Sequence, residues 1–202
     1  MTTRLSVFPL AGALLFPRMY LPLHIFEPRY RAMVTDSLAR DRRIGMVQPR
    51  GEGEPPALFD MGCVGRIAEV EALPDGRFNL VLEGLARFHI VRELDVTTAF
   101  RQVEAELEAA GESQVLAIAE RASLEIEARR FAEVQGYAVD WEAVTRLDDE
   151  SLVNGIAQIA PFDVASKQAL LEADGLIERA ELTVQLMQFY GRHGDNGEGT
   201  LQ

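Results

Sequence analysis

Residues 5–31 read LSVFPLAGALLFPRMYLPLHIFEPRYR and form the most apolar run in the chain. Prolines at positions 9, 17, 22 and 28 interrupt this run. Because proline lacks a donor N–H and disfavours helix in the residue before it, the segment cannot form a single helix. We therefore predict two or three short, buried, extended segments with bends at Gly12, Pro17 and Arg18.

A signal peptide or membrane anchor is the alternative for so apolar a segment, since about 20 apolar residues span a bilayer. The internal prolines and Arg18 argue against a spanning helix, and Arg4 alone makes a thin basic start. No small-residue cleavage site precedes Glu27. We expect the run to lie in the core of a globular domain.

The composition is typical of a globular chain that buries a large core, in one large domain or two small ones, because 48% of the 202 residues are hydrophobic. The single cysteine, Cys63, excludes an internal disulfide framework and suits a reducing compartment, so we expect a cytoplasmic location. Residues 1–100 carry no net charge, whereas residues 101–202 carry a net charge of −12. The acidic half repels phosphate backbones, which disfavours nucleic acid as a partner.

The first half of the chain has the pattern of a strand-rich domain with one early helix. A helix is predicted from Pro28 to about Arg40, and residues 49–57 form a predicted surface loop. Asp75 and Gly76 are a tight-turn signal, and residues 83–84 are a predicted bend or bulge. Strands are predicted at residues 44–47, 63–73, 78–82, 86–91 and 100–107. Many short strands with glycine-rich turns indicate a closed or partly closed barrel.

The periodicity becomes helical from Ser113, a predicted N-cap for a helix that continues to about Gln135 and stops at Gly136. The predicted apolar set of this helix comprises Val115, Ile118, Ala122, Leu124, Ile126, Ala128, Phe131 and Val134.

Three shorter helices complete the predicted helical region. They begin behind Asp148 or Asp149, behind Asp163 and after Gly175. The predicted domains are therefore a β-rich barrel at residues 1–110, a helical subdomain at residues 111–192, and a disordered, glycine-rich tail at residues 193–202.

The chain also carries a series of short motifs: VFPL at 7–10, LFP at 15–17, LPL at 21–23, IFEPRYR at 25–31, IGMVQ at 44–48, MGCVGRIAEV at 61–70, LPDG at 73–76 and LVLEGLARFHI at 80–90. In order and spacing they cover most of residues 5–93 and resemble the amino-terminal substrate-binding domain of the ATP-dependent Lon proteases, including its small stand-alone relatives. KQALLE at 167–172 resembles a helix of the same family. The resemblance implies an α+β fold, in which a PUA-like β pseudo-barrel with one early helix is followed by a carboxy-terminal α-helical bundle. It also implies recognition of unfolded or degradation-tagged polypeptides.

Catalytic equipment is not visible in the sequence. No GxxxxGK[ST] phosphate loop is present. A serine and lysine pair of the kind that Lon peptidases use would have to join Ser123 or Ser166 to Lys167, the only lysine. Ser123 has a mid-helix context, and Ser166 adjoins Lys167 on a helix, where neighbours do not face each other. A cryptic peptidase is therefore the least favoured alternative.

No cofactor or metal site is predicted either. His24, His89 and His193 are scattered without ligand spacing, and His24 is expected to be a hydrogen-bonded strand residue. Cys63 is expected to be a small buried hydrophobe. Acidic residues 148–150 are expected to cap a helix rather than to bind a cation.

An RNA-binding module is the first alternative, because barrels of the PUA class include RNA binders. Its candidate residues are Arg40, Arg42, Arg43 and Arg50. Acidic residues interrupt this group, and no aromatic residue lies within it to stack on bases. A solvated loop is the favoured interpretation.

We predict a non-enzymatic polypeptide-recognition protein, acting as an adaptor, weak chaperone or regulator in protein quality control. Its partner is expected to be an unfolded or tagged polypeptide, or a dedicated protein, with no nucleic acid and no membrane. An extended segment can add to a barrel edge strand, or apolar side chains can enter a groove between barrel and helices. Phe16, Met19 and Tyr20 are the predicted contact residues, because so large an apolar loop beside Arg18 is not expected to be wholly core. The alternative is that all three pack inside.

Overall fold

The computed structural model of the protein describes residues 2–109 and 114–194, with side chains described as far as residue 192. The chain divides into two compact units, Met1–Gly111 and Glu112–Gln202. The described strands and the first helix belong to the first unit, and the remaining helices belong to the second. The predicted α+β class, with strands first and helices second, is confirmed.

The first unit is a small barrel. Its elements are β1 (Thr2–Pro9), β2 (Tyr20–Ile25), α1 (Pro28–Leu38), β3 (Arg43–Val47), β4 (Pro49–Arg50), β5 (Ala57–Leu58), β6 (Met61–Ala72), β7 (Phe78–Glu93) and β8 (Gln102–Leu107). The main sheet has the order β2-β7-β6-β3-β1-β8, and an additional β7–β8 pairing closes five of these strands into a ring. β1 and β3 pair in parallel, and the other pairs of this sheet are antiparallel. The predicted loop at residues 49–57 contains the short β4–β5 ladder.

Inward-facing side chains of the ring strands fill the barrel. The buried cluster consists of Leu5, Val7, Val47, Val64, Phe88, Val103 and Ala105. Two glycines make room for the Phe88 ring, since a Cβ would lie 3.1 Å from it at Gly45 and 2.5 Å from it at Gly62. The glycines of β3 and β6 therefore make space for the Phe88 ring in the barrel core.

β7 is one strand of 16 residues, whereas the sequence predicts separate strands at residues 78–82 and 86–91. Its first half pairs with β2 and its second half pairs with β8. Its register with β6 shifts between Val64 and Gly65, opposite residues 84–86. The predicted bend at residues 83–84 is thus a bulge that redirects the strand without ending it.

Residues 14–16 of the segment between β1 and β2 lie inside the first unit rather than on its surface. Leu14 and Leu15 are 1% exposed and Phe16 is wholly buried. Bends were predicted at Gly12 and Arg18, and both residues have positive φ, 74° and 65°. The N–H of Arg18 donates to the carbonyl of Gly84 at 2.8 Å, which fixes the segment against the β7 bulge.

The second unit consists of helices α2 (Ile118–Gln135), α3 (Trp141–Thr145), α4 (Asp149–Ile159), α5 (Val164–Glu172) and α6 (Leu176–Gly194). The predicted caps Asp148 and Asp163 accept the backbone N–H groups of Ser151 and Ser166. Gly136, at φ 69°, ends α2 as predicted. Helix α3 was not predicted from the sequence.

The predicted start of α2 differs from the observed one. Ser113 lies outside the described residues, as does most of the predicted tail. α2 begins at Ile118, and its N-cap is Ala117, whose N–H donates to the Glu120 carboxylate at 2.7 Å.

The predicted apolar set of α2 is partly wrong. Leu124, Ala128 and Phe131 are buried, at the i, i+4, i+7 spacing of one helical face. Ile118 and Ile126 are 91% and 68% exposed because they lie away from that face. Within the described residues, no helix combines the length and apolar character needed to cross a bilayer.

Candidate functional site

The three residues predicted to contact a partner lie in different environments. Phe16 is wholly buried, so the expectation that it lies at the surface is wrong. A Cβ on Gly84 would overlap the Phe16 carbonyl oxygen, and this close backbone approach holds Phe16 in the core. Met19 is half-buried and Tyr20 is 58% exposed. Tyr20 is therefore the most accessible of the three.

The edge strand β2 is the first of the two predicted binding modes. In the described part of the chain β2 pairs with β7 alone, with Tyr20 opposite Glu83 and Pro22 opposite Val81. The Gly84 N–H donates to the Met19 carbonyl at 2.9 Å. Because bonded pairs alternate in an antiparallel ladder, the backbone groups of Tyr20, Pro22 and His24 then point away from β7.

Pro22 therefore lies at a position where an added strand would need a backbone N–H donor. Proline on an edge strand is a common protection against strand addition, since it offers no N–H. β2 is also only 6 residues long. The geometry of β2 disfavours the edge-addition mode.

An apolar groove lies inside the second unit, whereas the second predicted mode placed the groove between barrel and helices. Its walls are side chains of α2, α3, α4 and α6, including Phe131, Trp141, Val144, Ile156, Ile159 and Met187. The cavity volume of the groove is about 200 Å³. Ser151, the lining hydroxyl from α4, donates to the Asp148 carboxylate at 2.7 Å, so it does not need a ligand to satisfy it. We call this feature the α3 groove.

Local capping residues determine where the helices around the α3 groove begin and end. Gly136 stops α2, and Asp140 begins α3 by accepting the Ala143 N–H at 3.0 Å. Asp148 then starts α4, so three helices are joined by short connections over residues 136–148. The guanidinium of Arg129 lies 4.4 Å from the centre of the Trp141 ring, and this cation–π contact fixes the outer wall.

The groove opens to solvent through exposed apolar side chains. Ile159 is 78% exposed, Tyr137 45%, Leu147 42% and Val139 37%. Exposed large apolar residues that surround a concave apolar site mark a surface that gains free energy when another apolar group covers it. The chemistry available here is the burial of apolar side chains.

The serine and lysine residues considered for peptidase chemistry have structural contacts instead. The Lys167 ammonium donates to the carbonyl of Gln158 at 3.1 Å, and burial lowers the pKa of this lysine. The Ser166 hydroxyl lies 3.5 Å from the hydroxyl of Tyr190. Ser123 is exposed on α2. In these contacts the Lys167 ammonium is directed to a backbone carbonyl and the Ser166 hydroxyl lies beside a tyrosine hydroxyl.

The remaining polar candidates also have structural partners. His24 on β2 lies 2.7 Å from the Asn79 side-chain oxygen of β7, as predicted for a strand histidine. Cys63 is buried, as predicted, and burial raises the pKa of its thiol to about 12. In the acidic stretch, Asp148 is a cap and Asp149 pairs with Arg121 at 2.5 Å. No group of acidic, histidine and cysteine side chains suited to a metal ion occurs among the described residues.

The arginines considered for RNA binding are partly neutralised. Arg40 pairs with Asp36 at 2.9 Å, and Arg43 lies 4.0 Å from Asp41. The Arg42 guanidinium donates to the carbonyl of Ile67 at 3.2 Å. This arrangement does not present a row of free guanidinium groups to a phosphate backbone.

Sequence reasoning missed the α3 groove. It predicted no helix in residues 137–147, between the helix that stops at Gly136 and the one that begins behind Asp148 or Asp149. The available signal was the apolar content of YAVDWEAVTRL at residues 137–147, which is unusual for a connection between helices. Convergence of this segment with α2 and α6 depends on tertiary packing.

Residues 4–188 match the family described as the ATP-dependent protease La (LON) substrate-binding domain, and the chain belongs to this family. The resemblance seen in the sequence motifs is thereby confirmed. Among curated relatives, Lon protease 2 of Myxococcus xanthus is 29% identical over 191 residues, and Lon protease of Buchnera aphidicola is 25% identical over 194 residues. Each alignment covers 91% of this chain but only 23% and 25% of the relative, so the chain spans about a quarter of their length.

The fold is shared with a solved structure. A crystal structure of a Lon N-terminal domain protein from Xanthomonas campestris superposes with a TM-score of 0.68 and 21% sequence identity. The match covers 91% of this chain and 98% of that one. Both the barrel unit and the helical unit therefore belong to the shared fold.

Proposed function

We propose that this chain recognises polypeptides by burying their apolar side chains in the α3 groove. The observation that carries the proposal is the groove itself, an almost wholly apolar concave site with exposed apolar residues around it. Membership of a substrate-binding family supports polypeptide as the ligand class. Pro22 on the edge strand supports the groove over strand addition.

The proposed action is binding without catalysis. The 202 residues contain no phosphate-loop motif, and the contacts of Ser166 and Lys167 are structural. An adaptor or regulatory role in protein quality control follows if the bound polypeptide is passed to, or withheld from, a protease. A cytoplasmic location belongs to the same proposal, supported by a single cysteine that is buried as a thiol.

The test uses Trp141, the only tryptophan, as a reporter that lies in the groove wall. A permanently unfolded, tryptophan-free polypeptide is titrated into the full chain, and Trp141 emission is followed together with anisotropy of the labelled polypeptide. We expect saturable binding with a shift of Trp141 emission to shorter wavelength, because the ligand removes water from the indole.

Two matched variants locate the site. Ile159→Ser removes an exposed groove residue and is expected to weaken binding by about tenfold, since burying such a side chain contributes about 1.5 kcal/mol or more. Ile126→Ser makes the same change at a 68% exposed position of α2 outside the groove and should bind like the parent chain. Equal losses in both variants, or none in either, would contradict the groove as the site. Tyr20→Ala, measured in parallel, tests the earlier prediction for β2.

A further inference from the structure

We infer that the α3 groove selects apolar segments flanked by lysine or arginine. This inference rests on the proposed function and adds the charge of the ligand to it. The apolar part of the ligand would enter the groove, and its basic flanks would lie at the acidic rim.

The two units differ strongly in charge. Residues 1–111 contain 15 acidic and 13 basic residues, a net charge of −2, whereas residues 112–202 contain 17 acidic and 7 basic residues, a net charge of −10. The groove lies wholly within the acidic unit. A field of one sign around a low-dielectric cleft raises the local concentration of oppositely charged ligands.

Exposed acidic residues are sequence neighbours of groove-lining residues in α2, in α3 and in the segment between α3 and α4. Glu133 follows lining residue Ala132, and Asp140 and Glu142 stand on either side of Trp141. Asp148 follows Leu147. Asp140 and Asp148 accept backbone N–H groups as helix caps, which leaves their charge in place.

The basic residues near the rim are fewer than the acidic ones, and two of them already contact another side chain. Arg129 stacks on Trp141. Arg146 lies 3.9 Å from Glu142, and both side chains are highly exposed, at 78% and 90%, so this ion pair is weak and opens readily. Arg130 is exposed beside lining residue Phe131. Among the exposed residues of 127–150, four are acidic and three are basic, and one of the basic residues is Arg129 against Trp141, so the acidic excess at the rim is small and adds to the net charge of −10 of the whole unit.

This arrangement separates two contributions to binding. Burial in the groove depends little on salt, because it removes apolar surface from water. Attraction between the rim and charged flanks acts through solvent and is screened beyond about 10 Å at 0.1 M salt. Charge preference should therefore be large at low salt and should shrink as salt is added.

The experiment compares three synthetic peptides with one leucine- and phenylalanine-rich core and flanks of lysine, glutamine or glutamate. Each is titrated into the full chain, with Trp141 emission and peptide anisotropy as readouts, at about 20 mM and about 300 mM salt. We expect affinity to fall in the order lysine, glutamine, glutamate, with at least about a tenfold span at low salt and a much smaller span at high salt.

Matched double variants place the effect at the rim. Glu133→Gln with Glu142→Gln should reduce the preference for lysine flanks by about threefold or more and leave the glutamine-flanked peptide unchanged. Glu178→Gln with Glu181→Gln makes the same charge change on the first half of α6, outside the groove lining, and should alter the preference much less. Equal binding of the three peptides would overturn the charge inference and leave the groove proposal standing, whereas no binding by any of them would overturn both.

Discussion

Gly84 shows how a single residue decides where a large apolar side chain lies. Its Cα is so close to the Phe16 backbone that any Cβ would overlap the Phe16 carbonyl oxygen and reach 3.2 Å from the Leu15 side chain. The contact connects residues far apart in sequence and draws the whole Leu14–Phe16 run into the core. Phe16 is consequently unavailable as a ligand contact.

Gly84→Ala should therefore destabilise the first unit by about 2–3 kcal/mol through overpacking. The measurement is the urea midpoint of unfolding followed by far-UV circular dichroism. Gly53→Ala is the control, because Gly53 is exposed and a Cβ there would lie 3.4 Å from its nearest neighbour, an ordinary contact distance. A Gly84→Ala protein as stable as the Gly53→Ala protein would contradict this account of Phe16 burial.

Cys63 illustrates a residue whose chemistry is suppressed by packing. Its side chain is wholly buried, and burial raises the pKa of the thiol from 9.0 to about 12. Because the folded state holds the proton more tightly, the thiol contributes stability below pH 9 that is lost as pH rises from 9 towards 12.

Thiol-specific labelling at pH 8 should accordingly be at least a hundredfold slower in the native protein than in urea, since the thiolate is the reactive form. The rate should rise together with the global unfolding curve. Rapid labelling of the native protein would show that Cys63 is accessible and contradict its assignment as a structural residue.

At the scale of elements, the helices of the second unit depend on side-chain caps. Asp140, Asp148 and Asp163 each accept a backbone N–H three residues later. These bonds satisfy donors that a helix start leaves unpaired, and they fix where α3, α4 and α5 begin. The α3 groove depends on two of these three starts.

Asp163→Ala should cost about 1 kcal/mol of stability, whereas Asp163→Asn, which keeps an acceptor oxygen, should cost much less. The N–H of Ser166, donating to the Asp163 carboxylate, lowers the pKa of that carboxyl below 3.8. This lowered pKa contributes stability at pH values above the pKa of the carboxyl in the unfolded chain. The contribution is lost as the pH falls through the pKa of the carboxyl in the folded protein. Thermal unfolding at pH 7 and pH 3 measures both effects, and equal losses in the two variants would refute capping as the cause.

β2 is an element whose edge is protected by one residue. Pro22 presents no donor on the side that faces away from β7. Pro22→Val restores an N–H and adds a residue with strong strand propensity. We expect this variant to self-associate more than the parent chain, as measured by light scattering at rising concentration.

Pro161→Ala is the control for that experiment, because Pro161 is exposed between α4 and α5 and belongs to no described strand. Equal scattering from the parent and the Pro22→Val protein would mean that Pro22 does not protect the β2 edge against self-association.

At the scale of the whole molecule, the two units differ in net charge, and the negative total disfavours nucleic acid as a partner. The total is −12, and Arg40 and Arg43 of the barrel lie beside Asp36 and Asp41. We expect no saturable binding of single-stranded RNA at physiological salt. The check is anisotropy of a labelled RNA with the intact chain, and binding that weakens steeply as salt rises would instead support the PUA-type alternative.

The sequence alone determined the features that depend on local backbone chemistry. Prolines broke the apolar run into extended pieces, Gly76 set the β6–β7 turn, Asp148 and Asp163 started helices, and Gly136 ended one. The order of strands before helices and the family motifs followed from the same short stretches. Each of these signals acts within a few residues, where steric and hydrogen-bonding preferences are fixed by residue type.

Only the tertiary structure decided which apolar residues are core and which are exposed. Phe16 is buried because Gly84 lets two distant backbones touch, and β7 stays one strand because its two halves pair with different partners. Ile159 is exposed although it lies seven residues after the buried Leu152, on the same face of α4. The α3 groove brings together residues from four helices. Periodicity identifies an apolar face, but burial depends on what packs against that face, and those contacts join positions too far apart in sequence for local pattern to specify.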